Sequence, residues 1–280
     1  MPWTSGWFSG GAEGDFWKVI RMQYVISALH YPWPDVAAAA AIVRDQLGLD
    51  GIEFSLASSW KRPHLTEADV AAVLAGDAVR GLALSGHIWE NPAQLEPEEA
   101  RRRLRYWVDL AADCGLTDLV VHGGHHEDQK TGLAKMKAAM QAVLPRAEQV
   151  GVHINVENHY AYDYRNCHEL YSTPEEFEDL FTLNSPNLGF CFDTGHGNMT
   201  KNTPELVRSL RGRLRYVHLA DNMGVDDDHL MYGRGTFPWA DFFDLLAEIG
   251  FDGIICVEFP VRDDLGPFRA CLAEMRRRFG

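Results

Sequence analysis

Residues 188–193 read LGFCFD, a run of apolar and small residues that ends in one charged residue, Asp193. Its length and its aromatic content predict a buried β-strand. Seven other stretches have the same character, and the eight predicted strands are YVISAL (24–29), GIEFS (51–55), LALSGHI (82–88), LVVH (119–122), HINVEN (153–158), LGFCFD (188–193), YVHLA (216–220) and GIICVEF (253–259). The stretches between them have helical periodicity, so the chain reads as eight successive strand–helix units.

Eight such units match the length of a (β/α)8 barrel, which typically takes about 250 residues. The sequence contains neither the GxGxxG nor the GxxxxGK[ST] motif of a nucleotide-binding open sheet. No linker or change of composition divides the chain. We therefore predict an α/β protein with a single (β/α)8 TIM barrel over residues 22–280, preceded by a short N-terminal extension, residues 1–21.

The charge and the cysteine content exclude several classes of protein. The formal net charge is −14, from 26 Lys and Arg against 40 Asp and Glu, which opposes binding to nucleic acid or to an anionic membrane. The five cysteines are odd in number and widely spaced, so neither a disulfide framework nor a CxxC zinc site is indicated. No apolar run approaches the roughly 18 residues that span a bilayer. We expect a cytoplasmic protein without nucleic-acid or membrane partners.

Polar residues occupy the ends of nearly all the predicted strands, where a buried strand would otherwise be apolar. They are Glu53, His87, His122, Glu157, Asp193, His218 and Glu258. In a barrel these ends converge on one mouth, where active sites are built. Any one of them can be a polar group that caps a neighbouring helix, but several buried carboxylates facing one axis require a cation.

Four of these residues form a candidate metal site. Glu157, Asp193, His218 and Glu258 offer three carboxylates and one imidazole from successive strands. Such a mixed oxygen and nitrogen set suits Mn²⁺, Mg²⁺, Co²⁺ or Zn²⁺ and leaves positions open for substrate oxygens. The sequence therefore predicts one divalent metal ion at the mouth of the barrel.

An ordered set of motifs resembles the xylose isomerase-like superfamily of TIM barrels, which includes sugar phosphate isomerases and epimerases and the apurinic endonucleases of family 2. The motifs are LSGH (84–87), VVHGG (120–124), VENH (156–159), FDTGH (192–196), YVHLADN (216–222), DDHLMYGRGTFPW (227–239) and VEF (257–259). The resemblance implies one bound metal, most often Mn²⁺, on Glu157, Asp193, His218 and Glu258. It also implies that Glu157 and Glu258 are the catalytic acid and base.

The implied activity is isomerisation or epimerisation of a keto-sugar, a polyol-derived ketone or a sugar acid. A carboxylate would remove a proton next to a carbonyl group that the metal polarises. The position of His196 usually binds a substrate oxygen in this superfamily, and aromatic faces at the mouth can pack on a sugar ring. The predicted substrate-binding residues are His87, Trp89, His122, Asn158, Tyr160, His196, His229 and Arg234.

Three other functions stay open. A lyase or dehydratase acting on a related keto-sugar or keto-glycoside would begin with the same proton abstraction. A trinuclear-zinc apurinic endonuclease would use nine positions that are all present here: His87, His122, Glu157, Asp193, His196, His218, Asp227, His229 and Glu258. A metal- and sugar-binding subunit without turnover is the third.

One departure from the ketose epimerase pattern is clear. Those enzymes commonly have a Glu-Pro pair at the fifth strand and an Arg shortly after the seventh-strand histidine, whereas this chain has Glu157-Asn158 and LADNMGV (219–225). The departure favours the broader, functionally mixed branch of the superfamily. Relatives commonly form dimers or tetramers, so a homo-oligomer is expected.

Overall fold

The computed structural model describes residues 22–30, 40–56, 67–161, 163–164, 167–260 and 265–279. Eight parallel strands form a closed barrel in which each strand pairs with its neighbours in chain order and the first pairs with the last. The strands are β1 Gln23–Ser27, β2 Gly51–Leu56, β3 Ala83–Ile88, β4 Asp118–His122, β5 His153–Glu157, β6 Leu188–Asp193, β7 Leu214–Leu219 and β8 Ile254–Val257. The predicted (β/α)8 barrel is confirmed, and the predicted extension, residues 1–21, lies outside the described residues.

Helices cover the outside of this barrel. They are α1 Glu67–Leu74, α2 Pro97–Cys114, α3 Gln129–Val150, α4 Pro174–Phe181, α5 Thr194–Thr200, α6 Thr203–Ser209, α7 Trp239–Glu248 and α8 Gly266–Phe279. The connection from β1 to β2 contains a π-helical segment, Ile42–Leu47. No helix in the described part of the chain is both long and apolar enough to cross a bilayer.

Several helix ends have residues that suit their positions. Helix α2 begins with Pro97, whose missing N–H costs nothing in the first turn. It ends at Cys114 and is followed by Gly115, which adopts φ 76° in the left-handed region. Helix α4 begins with a capping box between Thr173 and Glu176. These signals set the lengths of the helices and hence the loops at the mouth.

The two faces of the strands bury different sets of residues because side chains alternate along a strand. The outward-facing residues pack under the helices in the large apolar core. The interior holds a separate apolar cluster: Val25, Val120, Cys191, Tyr216, Ile254 and Cys256. Residues two positions further along four of these strands are His122, Asp193, His218 and Glu258, so they form the next layer of the interior.

Three strand boundaries differ from the prediction by two residues, and one of them is the end of β1 at Ser27, where the sequence predicted residue 29. Strand β7 begins at Leu214, two residues before the predicted 216, and β8 ends at Val257, so Glu258 follows the strand. The backbone N–H of Glu258 still donates to Leu219 O at 3.0 Å, which continues the ladder by one residue. All five cysteines are free thiols, as their spacing predicts.

Candidate active site

The four residues of the predicted metal site meet at the mouth of the barrel. Glu157, Asp193, His218 and Glu258 come from β5, β6, β7 and the end of β8, and their ligand atoms lie within 4.8 Å of one another. The pairing register sets Asp193 directly beside His218. All four side chains are buried. We call these four residues the acidic cluster.

One imidazole nitrogen lies at the centre of this cluster. His218 Nδ1 is 3.4 Å from Glu157 Oε1 and 3.3 Å from Glu258 Oε2. His218 Nδ1 and Glu157 Oε2 are buried, and neither has a hydrogen-bond partner among the described residues. Buried polar atoms normally have partners, and adjacent buried carboxylates repel each other. A divalent cation would satisfy both requirements, so the donor set fits one.

The carboxylates of the cluster have strongly perturbed acidities. Burial raises the pKa of Asp193 to about 7, although the neighbouring His196 opposes the increase. Burial also works against the charged form of Glu258, but the adjacent His218 and His87 hold the pKa of Glu258 below its ordinary value. Perturbed groups of this kind concentrate at functional sites.

Two histidines extend the cluster toward the barrel axis. His87 Nε2 lies 3.3 Å from Glu157 Oε2, and His122 Nε2 lies 3.5 Å from the same oxygen. The ligand atoms of His87, His122 and Glu157 form a second group within 4.8 Å of one another. Burial and the nearby His87 hold the pKa of His122 well below its ordinary value, so its ring is neutral.

His196 and His229 border the cluster on another side. His196 Nδ1 lies 2.8 Å from the carbonyl oxygen of Asn158, and its Nε2 lies 3.5 Å from Asp227 Oδ2. Burial opposes the charge on His196, but Asp193 and Asp227 raise its pKa well above the ordinary value. His229 Nε2 is 3.9 Å from Glu258 Oε2, and the residue has the uncommon φ of 48°.

A cavity of about 300 Å³ opens beside the cluster. Its walls include Trp89, His122 and Tyr160 of the predicted substrate-binding set, and the complete lining is Trp89, Glu90, Asn91, His122, Gly124, His125, His159, Tyr160, Cys167 and Glu169. None of these lining residues is Lys or Arg. Trp89 Nε1 donates to Ser55 Oγ at 2.8 Å, which holds the indole in place, and the ring stacks on His87 with centroids 5.5 Å apart.

The other five predicted substrate-binding residues do not line this cavity: His87, Asn158, His196, His229 and Arg234. His87, His196 and His229 lie beside the acidic cluster, whereas Asn158 and Arg234 have other surroundings. The side chain of Asn158 is buried, accepts from the N–H of Asp193 at 2.7 Å and donates to the Asp193 carbonyl at 3.3 Å, so it joins β5 to β6. Arg234 is exposed on the loop that follows β7. A substrate contact for either residue stays a prediction.

Several residues of the site received no role from the sequence. His159 Nδ1 lies 3.2 Å from Glu169 Oε2, and the His159 ring stacks on His196 with centroids 4.5 Å apart. Burial raises the pKa of Glu169 to about 7 and holds the pKa of His159 well below its ordinary value, so the two meet as neutral groups near pH 6. His159 follows Glu157 by two residues, whereas nothing in the sequence connects Glu169 to the site. It arrives on a small antiparallel sheet made of 125–126, 163–164 and 167–169.

Comparison with known proteins identifies the family of this chain. Residues 38–277 match the family model of the xylose isomerase-like TIM barrel, so the chain belongs to that family. An uncharacterized protein of Methanocaldococcus jannaschii is 34% identical over 181 residues, which is 60% of each chain. A ketose 3-epimerase of Arthrobacter globiformis is 29% identical over 76% of this chain and 74% of its own. The crystal structure of a D-tagatose 3-epimerase-like protein has a TM-score of 0.74 at 22% identity and covers 92% of this chain and 100% of its own.

A relative of another kind is also similar over most of the chain. A probable endonuclease 4 of Mycobacterium leprae is 27% identical over 86% of this chain and 96% of its own. The chain is therefore similar to proteins of two kinds, a sugar epimerase and a probable endonuclease.

Proposed function

We propose that this protein is a divalent-metal-dependent epimerase or isomerase that acts on a keto-sugar or a polyol-derived ketone. The observation that carries the proposal is the placement of two buried glutamates, Glu157 and Glu258, within 3.4 Å and 3.3 Å of the same His218 nitrogen. The two carboxylates could therefore both contact one metal ion and lie beside a substrate bound to it, as proton exchange next to a carbonyl requires. The similarity to a ketose 3-epimerase supports the same choice.

The acidic cluster would hold the metal ion through Glu157, Asp193, His218 and Glu258. When bound there, a divalent cation would act as a Lewis acid that makes the proton next to a substrate carbonyl more acidic. Mn²⁺ suits the three carboxylates and one imidazole best, and Mg²⁺, Co²⁺ and Zn²⁺ suit the same set.

Glu157 and Glu258 would exchange the substrate proton. One glutamate, as the carboxylate, would remove the proton from the carbon next to the carbonyl, and the other, as the carboxylic acid, would donate its proton to the opposite face, which inverts that carbon. His87, His122 and His196 would bind the substrate hydroxyls, because their ring nitrogens surround the same carboxylates. Trp89 and Tyr160 would pack on the C–H faces of the sugar.

The cavity favours an uncharged substrate. Its volume of about 300 Å³ is at the small end of the range for ligand pockets. None of its lining residues is Lys or Arg. Its two acids carry little free charge, because Glu90 pairs with Arg103 at 2.9 Å and burial raises the pKa of Glu169 to about 7. The described walls of the cavity therefore offer a phosphate group or a sugar carboxylate no Lys or Arg partner, so we propose an unphosphorylated keto-sugar.

The test is deuterium exchange into unphosphorylated ketohexoses in D₂O, followed by NMR, with the metal content measured by inductively coupled plasma mass spectrometry. We expect about one divalent metal per chain and deuterium at one carbon next to the carbonyl. Glu157→Gln and Glu258→Gln should each lower the exchange rate by about 10²- to 10⁴-fold, the usual contribution of a general acid or base. A product that has lost water would identify a dehydratase instead, and absence of exchange with every ketose tested would contradict the proposal.

A trinuclear phosphodiesterase is the second candidate. It is favoured by the additional group of His87, His122 and Glu157, by the Asp227 and His229 pair beside His196, and by the similarity to a probable endonuclease. The net charge of −14 opposes it, because affinity for DNA rests largely on Lys and Arg contacts to phosphates. Close to three zinc ions per chain, together with cleavage of abasic DNA, would replace the first proposal by this one.

A further inference from the structure

Glu53 lies at the centre of the barrel without a role in the reaction outlined above. It comes from β2, which lies directly across the barrel from β6, the strand of Asp193. Its Oε2 is 2.8 Å from His218 Nε2, and both side chains are 0% exposed. Its Oε1 is buried and has no hydrogen-bond partner among the described residues.

This contact determines which ring nitrogen of His218 carries the proton and which one can bind a metal ion. A carboxylate accepts hydrogen bonds, so the proton of the ring must lie on Nε2 for the 2.8 Å contact to be a hydrogen bond. Nδ1 of a singly protonated ring then keeps its lone pair. That atom is the one that lies 3.4 Å from Glu157 Oε1 and 3.3 Å from Glu258 Oε2.

We propose that Glu53 is a positioning residue that binds the Nε2 proton of His218 and thereby presents Nδ1 to the divalent metal of the acidic cluster. The inference rests on the proposed metal site. A carboxylate that orients a metal-ligating histidine also raises the basicity of the ring, and loss of such a partner commonly costs 10- to 100-fold in metal affinity.

The burial of Glu53 supports a specific role. A carboxylate that is fully removed from water is costly unless a partner compensates, and a hydrophobic residue at the same position would fill the barrel at lower cost. Its described side-chain hydrogen bond is the one to His218. The stability of the fold therefore does not explain why this position holds an acidic residue.

The first measurement uses the wild-type protein loaded with Zn²⁺, which is diamagnetic. Long-range ¹H–¹⁵N correlation NMR on protein labelled at histidine should give His218 a protonated Nε2 and a metal-bound Nδ1. A ring bound to zinc through Nε2, or protonated on Nδ1, would overturn the inference without any substitution having been made.

The second measurement is a calorimetric titration of Glu53→Gln with Zn²⁺. The amide can present its NH₂ group to Nε2, which moves the ring proton to Nδ1 and blocks the ligand atom, so we expect a Kd about 10- to 100-fold higher than that of the wild type. At saturating metal the variant should recover most of its rate, because a positioning residue acts on metal binding and Glu53 does not line the cavity beside the cluster. An unchanged Kd would contradict the inference.

Asp118→Asn is the matched control. Asp118 is also a buried acid of the barrel, but it lies at the first position of β4, where it bonds Arg215 and Asn155 at 3.3 Å and 3.1 Å. This substitution should lower stability and leave the Kd for Zn²⁺ unchanged. Equal loss of affinity in both variants would mean that Glu53 acts only through folding. A wild type that binds metal without catalysing exchange would refute the proposed function and leave this inference standing.

Discussion

At the scale of single residues, Asp193 has two roles: it caps a helix, and it is a candidate metal ligand. One oxygen accepts from the backbone N–H of His196 at 2.6 Å and so caps helix α5, while the carboxylate also belongs to the acidic cluster. A carboxylate at a helix N-terminus accepts hydrogen bonds from the free N–H groups there and interacts favourably with the positive end of the helix dipole. The cap therefore fixes the orientation of a candidate metal ligand before any metal binds.

Glu169 gives a prediction about pH. Burial raises its pKa from 4.5 to about 7. Because its pKa is higher in the folded than in the unfolded protein, its contribution to stability is fully present below pH 4.5 and is lost as the pH rises through 7. By linkage, this loss is about 3 kcal/mol at most.

Glu169→Gln removes this titration. Denaturant unfolding of the metal-free proteins at pH 5 and pH 8 should show a smaller decrease in the free energy of unfolding for the variant than for the wild type. All other titrating groups are the same in the two proteins, so the difference between the two decreases reports on Glu169. Equal decreases in the two proteins would contradict the buried, neutral state of Glu169.

At the scale of secondary-structure elements, helix starts hold the loops of the mouth in place. The capping box of α4 ties Ser172 and Thr173 to Glu176, whose Oε2 accepts from the two N–H groups at 2.7 Å and 3.3 Å. This turn follows directly after the strand that carries Glu169. The helix start and the cavity wall are therefore connected.

Thr173→Ala should lower the free energy of unfolding by about 1 kcal/mol, the usual cost of losing an N-cap side chain. Thr173→Ser keeps the hydroxyl and should keep the stability. Chemical denaturation of the three proteins measures the difference. The metal affinity should not change in either variant, because the acidic cluster lies on other elements.

At the scale of the whole molecule, the acidic cluster links metal binding to folding. Carboxylates buried together destabilise the folded chain until a cation neutralises them, and a ligand that binds only the folded state stabilises it by mass action. At a metal concentration 100 times the Kd, this stabilisation is about 2.7 kcal/mol.

Chelation should therefore lower the melting temperature measured by calorimetry, and added Mn²⁺ should restore it. In the double variant Glu157→Gln, Glu258→Gln, chelator and Mn²⁺ should have little effect on the melting temperature. A wild-type melting temperature that does not respond to either reagent would argue against a metal site in the cluster.

The sequence alone predicts the barrel and most residues of the candidate site. The alternation of strands and helices predicted the barrel, and the polar residue at each strand end predicted the acidic cluster, because strand ends in a parallel barrel share one mouth. The period of two along each strand then required Asp193 and His218 to face the interior, two positions beyond Cys191 and Tyr216.

Contacts between distant parts of the chain needed the tertiary structure. The bond from Glu53 to His218 joins residues 165 positions apart, and its geometry depends on how closely opposite strands approach when the barrel closes. The cavity wall formed by Glu169 depends on a small sheet whose strands have two or three residues, too short to carry a periodic signal. The sequence by itself determined which residues reach the mouth, since strand length and alternation are local properties. Only the closed barrel decided which of them touch, since those distances depend on packing across its axis.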